Sequence, residues 1–223
     1  MTRTKLADRL LPDYTRSEEL MNMVTHIVGG GLGVVGLVLC VLKAAFQGST
    51  LGVVASAIYG GSMILLYTMS SIYHGLHSGH AKKVMQVLDH CTIYFLIAGT
   101  YTPVMLCSLL PRHPSIAIGL LIVEWTLAVT AAVFTAIDLH NFRVISMVCY
   151  IGMGWGIIFF LPQTLQAVSS AGFFLLLAGG ISYTIGAVLY GIGSKKRWMH
   201  SVFHVFVVLG SILQYLCVLI YVL

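Results

Sequence analysis

Long apolar runs separated by short polar segments fill the chain from about residue 20 onward. The seven runs cover residues 20–44, 50–76, 84–110, 114–136, 143–162, 166–192 and 198–222. An α-helix rises about 1.5 Å per residue, so about 20 residues cross a hydrocarbon core of about 30 Å. The runs are continuous, whereas an outer-membrane β-barrel shows short alternating segments. The pattern predicts an all-α membrane protein, a bundle of seven transmembrane helices.

The polar start of the chain and the short linkers predict a simple organisation. We expect an N-terminal segment over residues 1–19 and a single transmembrane domain over residues 20–223. The segment lacks the apolar stretch of a cleaved signal peptide. Thr15 and Glu18 stand at capping-box spacing, which predicts a helix start there. Pro103 predicts a kink within the third run.

The composition excludes several classes of protein. Hydrophobic residues make up 58% of the 223 residues and charged residues only 9%, against about 45–50% and about 25% in soluble domains. A soluble enzyme and a disordered chain are therefore excluded. The net charge is +5, but the basic residues are too few and too confined to loops to bind nucleic acid.

The basic residues are distributed unequally between the two ends of the predicted bundle. Ten of them fall at one end: Arg3, Lys5, Arg9, Arg16, Lys82, Lys83, Arg143, Lys195, Lys196 and Arg197. Only Lys43 and Arg112 fall at the other end. Because Lys and Arg favour cytoplasmic loops, we expect a cytoplasmic N-terminus and a C-terminus outside.

Several glycines form patterns that resemble known motifs. Residues 31–36 read G-x-G-x-x-G, but a dinucleotide site would need a preceding strand and a βαβ unit, and this motif lies inside an apolar run. Gly29 with Gly33, and Gly152 with Gly156, stand at G-x-x-x-G spacing. That spacing predicts close packing between helices.

Ionisable residues inside membrane spans are costly and are therefore functional candidates. They are His26, His74, Asp89, His90, Glu124, His200 and His204. The expected topology places all of them except Glu124 near the cytoplasmic face. Asp89 lies six residues after Lys83 and His204 seven after Arg197, or about 9 and 10 Å along a helix. The similar depths predict one shared site.

The spacing of the histidines favours a metal site. His200 and His204 are four residues apart and share a helix face, which lets two imidazoles bind one ion. His74 would supply a third ligand and leave a position open for water, as in catalytic zinc sites. Asp89 is the best-placed carboxylate to take a proton from that water, and Ser70 could orient His74 or donate to an oxyanion. The alternative is a metal-free polar network between helices.

For the other polar residues inside the spans, the sequence is compatible with more than one role. Glu19, Asn22 and His26 fall on one face of the first run and could line the same cavity, although an interhelical hydrogen bond is favoured. His90 is turned about 100° from its neighbour, so we do not expect both to face one centre. Glu124 lies in the middle of its span and could be protonated, paired or pore-facing.

Four short motifs occur in order along the chain. They are Ser70-x-x-x-His74, Leu88-Asp89-His90, Gly99-Thr100-Tyr101-Thr102-Pro103 and His200-x-x-x-His204. Together they resemble the hemolysin III branch of the progestin and adipoQ receptor family, over nearly the whole chain. The resemblance implies seven helices with a cytoplasmic N-terminus and zinc held by His74, His200 and His204. It also implies that Asp89 contacts the zinc-bound water.

Two classes of function follow from that resemblance. Kinship with adiponectin receptors and alkaline ceramidases implies a zinc-dependent intramembrane hydrolase of a lipid amide or ester, with Asp89 as general base and Ser70 assisting. Its substrate would be a membrane lipid, either ceramide-like or a phospholipid. The family label of the bacterial members implies instead cytolysis by pore formation, and a membrane sensor with structural zinc is a further alternative. The compact length indicates a bacterial protein, which we expect in the inner membrane, and the oligomeric state is left open.

Overall fold

Seven stretches of helix long and apolar enough to cross a membrane run through the described residues, 3–193 and 196–223 of a computed structural model. The α-helices are α1 (Arg16–Phe46), α2 (Thr50–Gly75), α3 (His80–Pro103), α4 (Pro114–Ile137), α5 (Arg143–Trp155), α6 (Leu161–Ala167), α7 (Ser170–Gly193) and α8 (Met199–Cys217). A 3₁₀ helix over Gly156–Phe160 joins α5 and α6 into one span. A π-helix follows α3 over Val104–Leu109, and another follows α8 over Val218–Val222. Within this part of the chain there is no β-strand. The prediction of an all-α, seven-span membrane protein is confirmed.

The first helix begins where its capping signal predicts. The Thr15 side chain accepts the backbone N–H of Glu18, and the Glu18 carboxylate accepts the backbone N–H of Thr15. This reciprocal pairing satisfies two amide donors that a helix start leaves free. It also fixes the position at which the N-terminal residues join α1.

Residues 3–15, which we call the N-terminal strap, cross one end of the bundle. Arg3 Nε donates to the Ile137 carbonyl oxygen at 3.0 Å, and the Thr4 backbone N–H donates to Asp138 Oδ2 at 2.6 Å. Lys83 Nζ donates to the Ala7 carbonyl oxygen. The strap is thereby tied to the starts and ends of helices at the end rich in basic residues. Lys195, which the charge pattern assigns to the same end, lies outside the described residues.

Close packing of α1 against α2 depends on glycine. A Cβ atom on Gly29 would lie 2.6 Å from the Tyr67 ring, and one on Gly33 would lie 3.4 Å from Met63. The packing predicted for this pair is confirmed. The prediction is wrong for Gly152, which is exposed and where an added Cβ would meet nothing within 4 Å. Its partner Gly156 is closely packed, since a Cβ there would lie 3.1 Å from Glu124 Oε1 of α4.

Two spans depart from regular α-helix where Tyr101 and Pro103 of α3 lie. The π-helix Val104–Leu109 starts directly after Pro103, the residue predicted to disturb α3, because proline cannot donate a backbone hydrogen bond. At the 3₁₀ helix between α5 and α6, the Tyr101 hydroxyl donates to the Met153 carbonyl oxygen at 2.8 Å and accepts the Ile157 N–H at 2.9 Å. A side chain of α3 thus satisfies backbone groups that the change of helix type leaves free.

Hydrogen bonds between side chains join α2, α7 and α8. The Tyr67 hydroxyl donates to Ser211 Oγ at 2.7 Å, and the Tyr183 hydroxyl lies 2.7 Å from the same oxygen. Tyr67 is 1% exposed, so this network lies in the interior. It holds α8, past its middle, beside α2, and the candidate site forms where α2 ends and α8 begins.

Candidate metal centre

Three buried histidines come together where α2 ends and α8 begins. Each of His74, His200 and His204 offers a ring nitrogen, and these three atoms lie within 4.8 Å of one another. His200 Nε2 and His204 Nε2 are 3.0 Å apart, close to the separation of about 3.3 Å that tetrahedral zinc imposes at ligand distances of about 2.0 Å. His74 Nε2 is buried without a hydrogen-bond partner among the described residues. The donor set therefore fits a metal ion.

The start of α8 is fixed by a contact with α1. Trp198 precedes the helix with φ 66°, a left-handed conformation that glycine adopts more easily than other residues. Its backbone N–H donates to Glu18 Oε1 at 2.7 Å. Because Glu18 also caps α1, the first turns of α1 and α8 are held together. This contact sets the height at which His200 and His204 enter the bundle.

His74 is oriented by residues from α1 and α3. Its Nδ1 lies 2.6 Å from Glu19 Oε2, while Lys82 Nζ donates to Glu19 Oε1, also at 2.6 Å. The side-chain amide of Asn22 lies 3.4 Å from the same His74 nitrogen, and turning the amide would present its oxygen to an Nδ1–H. Glu19 is thus an interhelical hydrogen-bonding residue, the interpretation that the sequence favoured. It lies directly against the candidate metal ligand.

Aromatic rings enclose the cluster on two sides. The Tyr14 ring, from the N-terminal strap, stacks on His200 with centroids 4.8 Å apart and planes at 16°. His26 stacks on His204 with centroids 3.8 Å apart. Burial raises the pKa of the Tyr14 hydroxyl, as does the negative charge of nearby carboxylates. Tyr14 is therefore a neutral cover over the site.

A cavity of about 150 Å³ opens beside the histidines. Ser70 and Asp89 line it together with His200 and His204, and it reaches Gln214 near the far end of α8. From His200 to Gln214 the helix rises about 21 Å. Ser70 Oγ is buried without a partner among the described residues. Most other lining side chains are apolar or aromatic, and an apolar cavity of similar volume takes up small apolar molecules.

The remaining predicted candidates fall in different places. His90 lines the same cavity as Asp89, but its Nδ1 lies 2.8 Å from the Gln86 carbonyl oxygen and its Nε2 lies 3.1 Å from the Tyr190 hydroxyl. Both ring nitrogens are thus engaged away from the histidine cluster. Glu124 is 2% exposed and packs against the 3₁₀ helix between α5 and α6, where it forms no part of the cluster.

Two residues at the site, Tyr14 and Lys82, were not predicted from the sequence. Tyr14 lies in a polar segment without periodicity, so no pattern indicated that it returns to cover a membrane site. Lys82 was counted only as a topology signal, yet it is 4% exposed and bound to Glu19. A buried lysine in the first turn of α3 could have been suspected from the apolar residues that follow it.

Residues 14–215 match the family described as Haemolysin-III related. Hemolysin-3 of Bacillus cereus is 40% identical over 206 residues, which cover 92% of each chain. The Hemolysin-3 homolog of Bacillus subtilis (strain 168) is 37% identical over 208 residues, covering 93% of this chain and 96% of the relative. The human Monocyte to macrophage differentiation factor is 23% identical over 167 residues, covering 71% of this chain and 66% of the relative.

Proposed function

Because the chain belongs to the haemolysin III-related family and brings three buried histidines together inside a multi-pass membrane bundle, we propose that it is a zinc-dependent hydrolase of a lipid amide or ester bond. One observation carries the proposal. The nitrogens of His74, His200 and His204 converge within 4.8 Å, and His200 and His204 line a cavity together with Asp89 and Ser70.

His74, His200 and His204 would hold the ion and leave one position open. Zinc bound by three histidines polarises a carbonyl group and lowers the pKa of a water molecule. A merely structural zinc site usually has four protein ligands, whereas the structure offers three. The donor set thus supports a catalytic role over a purely structural one.

Two further side chains line the cavity and would act on the substrate. The Asp89 carboxylate takes the proton of the attacking water as general base. The Ser70 hydroxyl, which has no partner among the described residues, donates a hydrogen bond to the oxygen that becomes negative in the transition state. Both lie on the wall of the cavity, where the scissile bond would enter.

The surroundings of the site favour a lipid substrate. The cavity continues from the histidines along α8 between mostly apolar side chains, which suits part of an acyl chain. The site lies at the end of the bundle that carries the basic strap, which the charge pattern places on the cytoplasmic side. An amide or ester linkage of a lipid lies near that depth, close to the headgroups. We place the protein in the bacterial inner membrane.

The first test is the metal content of detergent-purified protein, measured by mass spectrometry. We expect about one zinc per chain in the wild type and none in His200→Ala/His204→Ala. The matched control is His77→Ala/His80→Ala, which removes two exposed histidines and keeps the metal. A wild type that is folded but free of metal would overturn the proposal.

The second test is lipid turnover. Vesicles containing ceramide or phospholipid are incubated with the protein, and released fatty acid is measured. Asp89→Asn keeps its zinc and loses turnover, since the amide cannot accept the proton. Full turnover in this variant would show that Asp89 is not the general base.

A relative with the name Hemolysin-3 makes membrane lysis the second candidate function. Under that alternative, the metal only joins α2 to α8, and Asp89→Asn leaves lysis unchanged. Leakage of a trapped dye from the same vesicles, without release of fatty acid, would support lysis against hydrolysis.

A further inference from the structure

A charged side chain lies behind His74, on the side away from the other histidines. Glu19 Oε2 is 2.6 Å from His74 Nδ1. The His74 side chain is completely buried, and that of Glu19 is 19% exposed. A histidine that binds a metal is neutral, and a carboxylate can only accept hydrogen bonds, so a ligating His74 that donates to Glu19 carries its proton on Nδ1. The lone pair then lies on Nε2, the buried nitrogen that has no partner among the described residues.

Lys82 holds Glu19 in this position. Its Nζ donates to Glu19 Oε1 at 2.6 Å and to the Leu76 carbonyl oxygen at 2.9 Å. It also lies 5.2 Å from the centroid of the Tyr73 ring. Both oxygens of Glu19 therefore face donors, one on α2 and one on α3. A Glu19 side chain that left both donors would deprive the buried Lys82 ammonium of its counter-charge, which is costly.

We infer that Glu19, held by Lys82, is a positioning residue that fixes the tautomer and ring orientation of His74 and so raises the affinity of the site for metal. The inference rests on the proposed function, because it takes the three histidines to be metal ligands. Partners that hydrogen-bond to a ligating histidine typically change metal affinity by about 10- to 100-fold when they are mutated. Glu19 itself is not a ligand in this arrangement.

The test measures zinc affinity in the full-length protein in detergent, by competition with a chelator of known affinity. We expect Glu19→Gln to raise the Kd for zinc by about 10- to 100-fold. The amide must turn its NH₂ group towards either His74 or Lys82, so it cannot serve both donors. Glu124→Gln is the matched control, since it makes the same change in a buried glutamate that forms no part of the cluster, and its Kd should stay near that of the wild type.

A double variant separates positioning from folding. In Glu19→Gln/Lys82→Met the glutamine faces one donor only, and its carbonyl oxygen can accept from His74 Nδ1. This variant also leaves no unpaired buried charge. We expect its Kd to recover towards the wild-type value. A double variant as weak as Glu19→Gln, or a single variant with an unchanged Kd, would overturn the inference.

The tautomer is read independently of the metal. In metal-free protein with ¹⁵N-labelled histidine, we expect the His74 signals of the Nδ1–H form in the wild type and a mixture of forms in Glu19→Gln. A wild type that binds no zinc overturns the proposed function. A wild type that binds zinc but shows His74 as the Nε2–H form when metal-free overturns the positioning role alone.

Discussion

Gly29 offers a sharp test of how α1 packs against α2. Replacing it with alanine places a Cβ atom 2.6 Å from one carbon of the Tyr67 ring and 2.8 Å from two others. Carbon atoms in contact normally lie about 3.5–4.0 Å apart, so the ring must retreat by about 1 Å. Tyr67 has little room, because its hydroxyl is bonded to Ser211 at 2.7 Å and its ring meets His26 edge-on with centroids 5.0 Å apart.

The expected cost follows from a matched pair of substitutions. Overpacking a tight interior typically costs about 1–3 kcal/mol. Gly31→Ala makes the same chemical change two residues later, where an added Cβ meets nothing within 4 Å. Alanine gains about 1 kcal/mol of helix propensity at either site, so this term cancels in the comparison. Gly29→Ala should therefore be about 1–3 kcal/mol less stable than Gly31→Ala, or about 5- to 150-fold in the folding equilibrium.

The assay is reversible unfolding in mixed micelles by titration with SDS, followed by far-UV circular dichroism. A double-mutant cycle isolates the clash. In a Tyr67→Leu background, Gly29→Ala should cost little, because the ring that it meets has gone. Equal stability of Gly29→Ala and Gly31→Ala would refute the tight contact between α1 and α2, as would an undiminished cost in the Tyr67→Leu background.

Three further predictions concern the strap, the site and the membrane interior. Burial would raise the pKa of Asp138, but the backbone N–H groups of Thr4 and the following turn lower it to about 2. Since this pKa lies below the ordinary value of about 3.9, the bond from Asp138 anchors the strap above about pH 4 and is lost as the pH falls towards 2. Pepsin should therefore cleave the strap faster as the pH falls, and Asp138→Asn should lose this pH dependence. Tyr14→Ala uncovers His200 and should speed zinc loss to a chelator several-fold, whereas Tyr14→Phe keeps the stacked ring and the wild-type rate. Glu124→Gln should be at least as stable as the wild type by SDS titration, because the buried Oε2 has no partner among the described residues; a large loss of stability would contradict this.

The sequence predicted those parts of the structure that depend on one helix at a time. The seven spans follow from run length, and the shared face of His200 and His204 follows from their spacing. The bonds from Glu19 to His74 and Lys82 could not be predicted, because they depend on how three helices rotate against one another. The stacking of Tyr14 on His200 could not be predicted either, because an irregular segment has no hydrophobic periodicity that indicates its course.

The candidate ligands come from opposite parts of the chain. His74 ends the second span, whereas His200 and His204 lie at the start of the last. During synthesis, a chain that has inserted every helix before α8 holds only one of the three. The three histidines can thus come together only after the last span has entered the membrane, and the free energy of binding a metal there would then add to the stability of the assembled bundle. Metal uptake would therefore be the last step in assembling the protein. A chain truncated before α8 would not bind a metal at a three-histidine site.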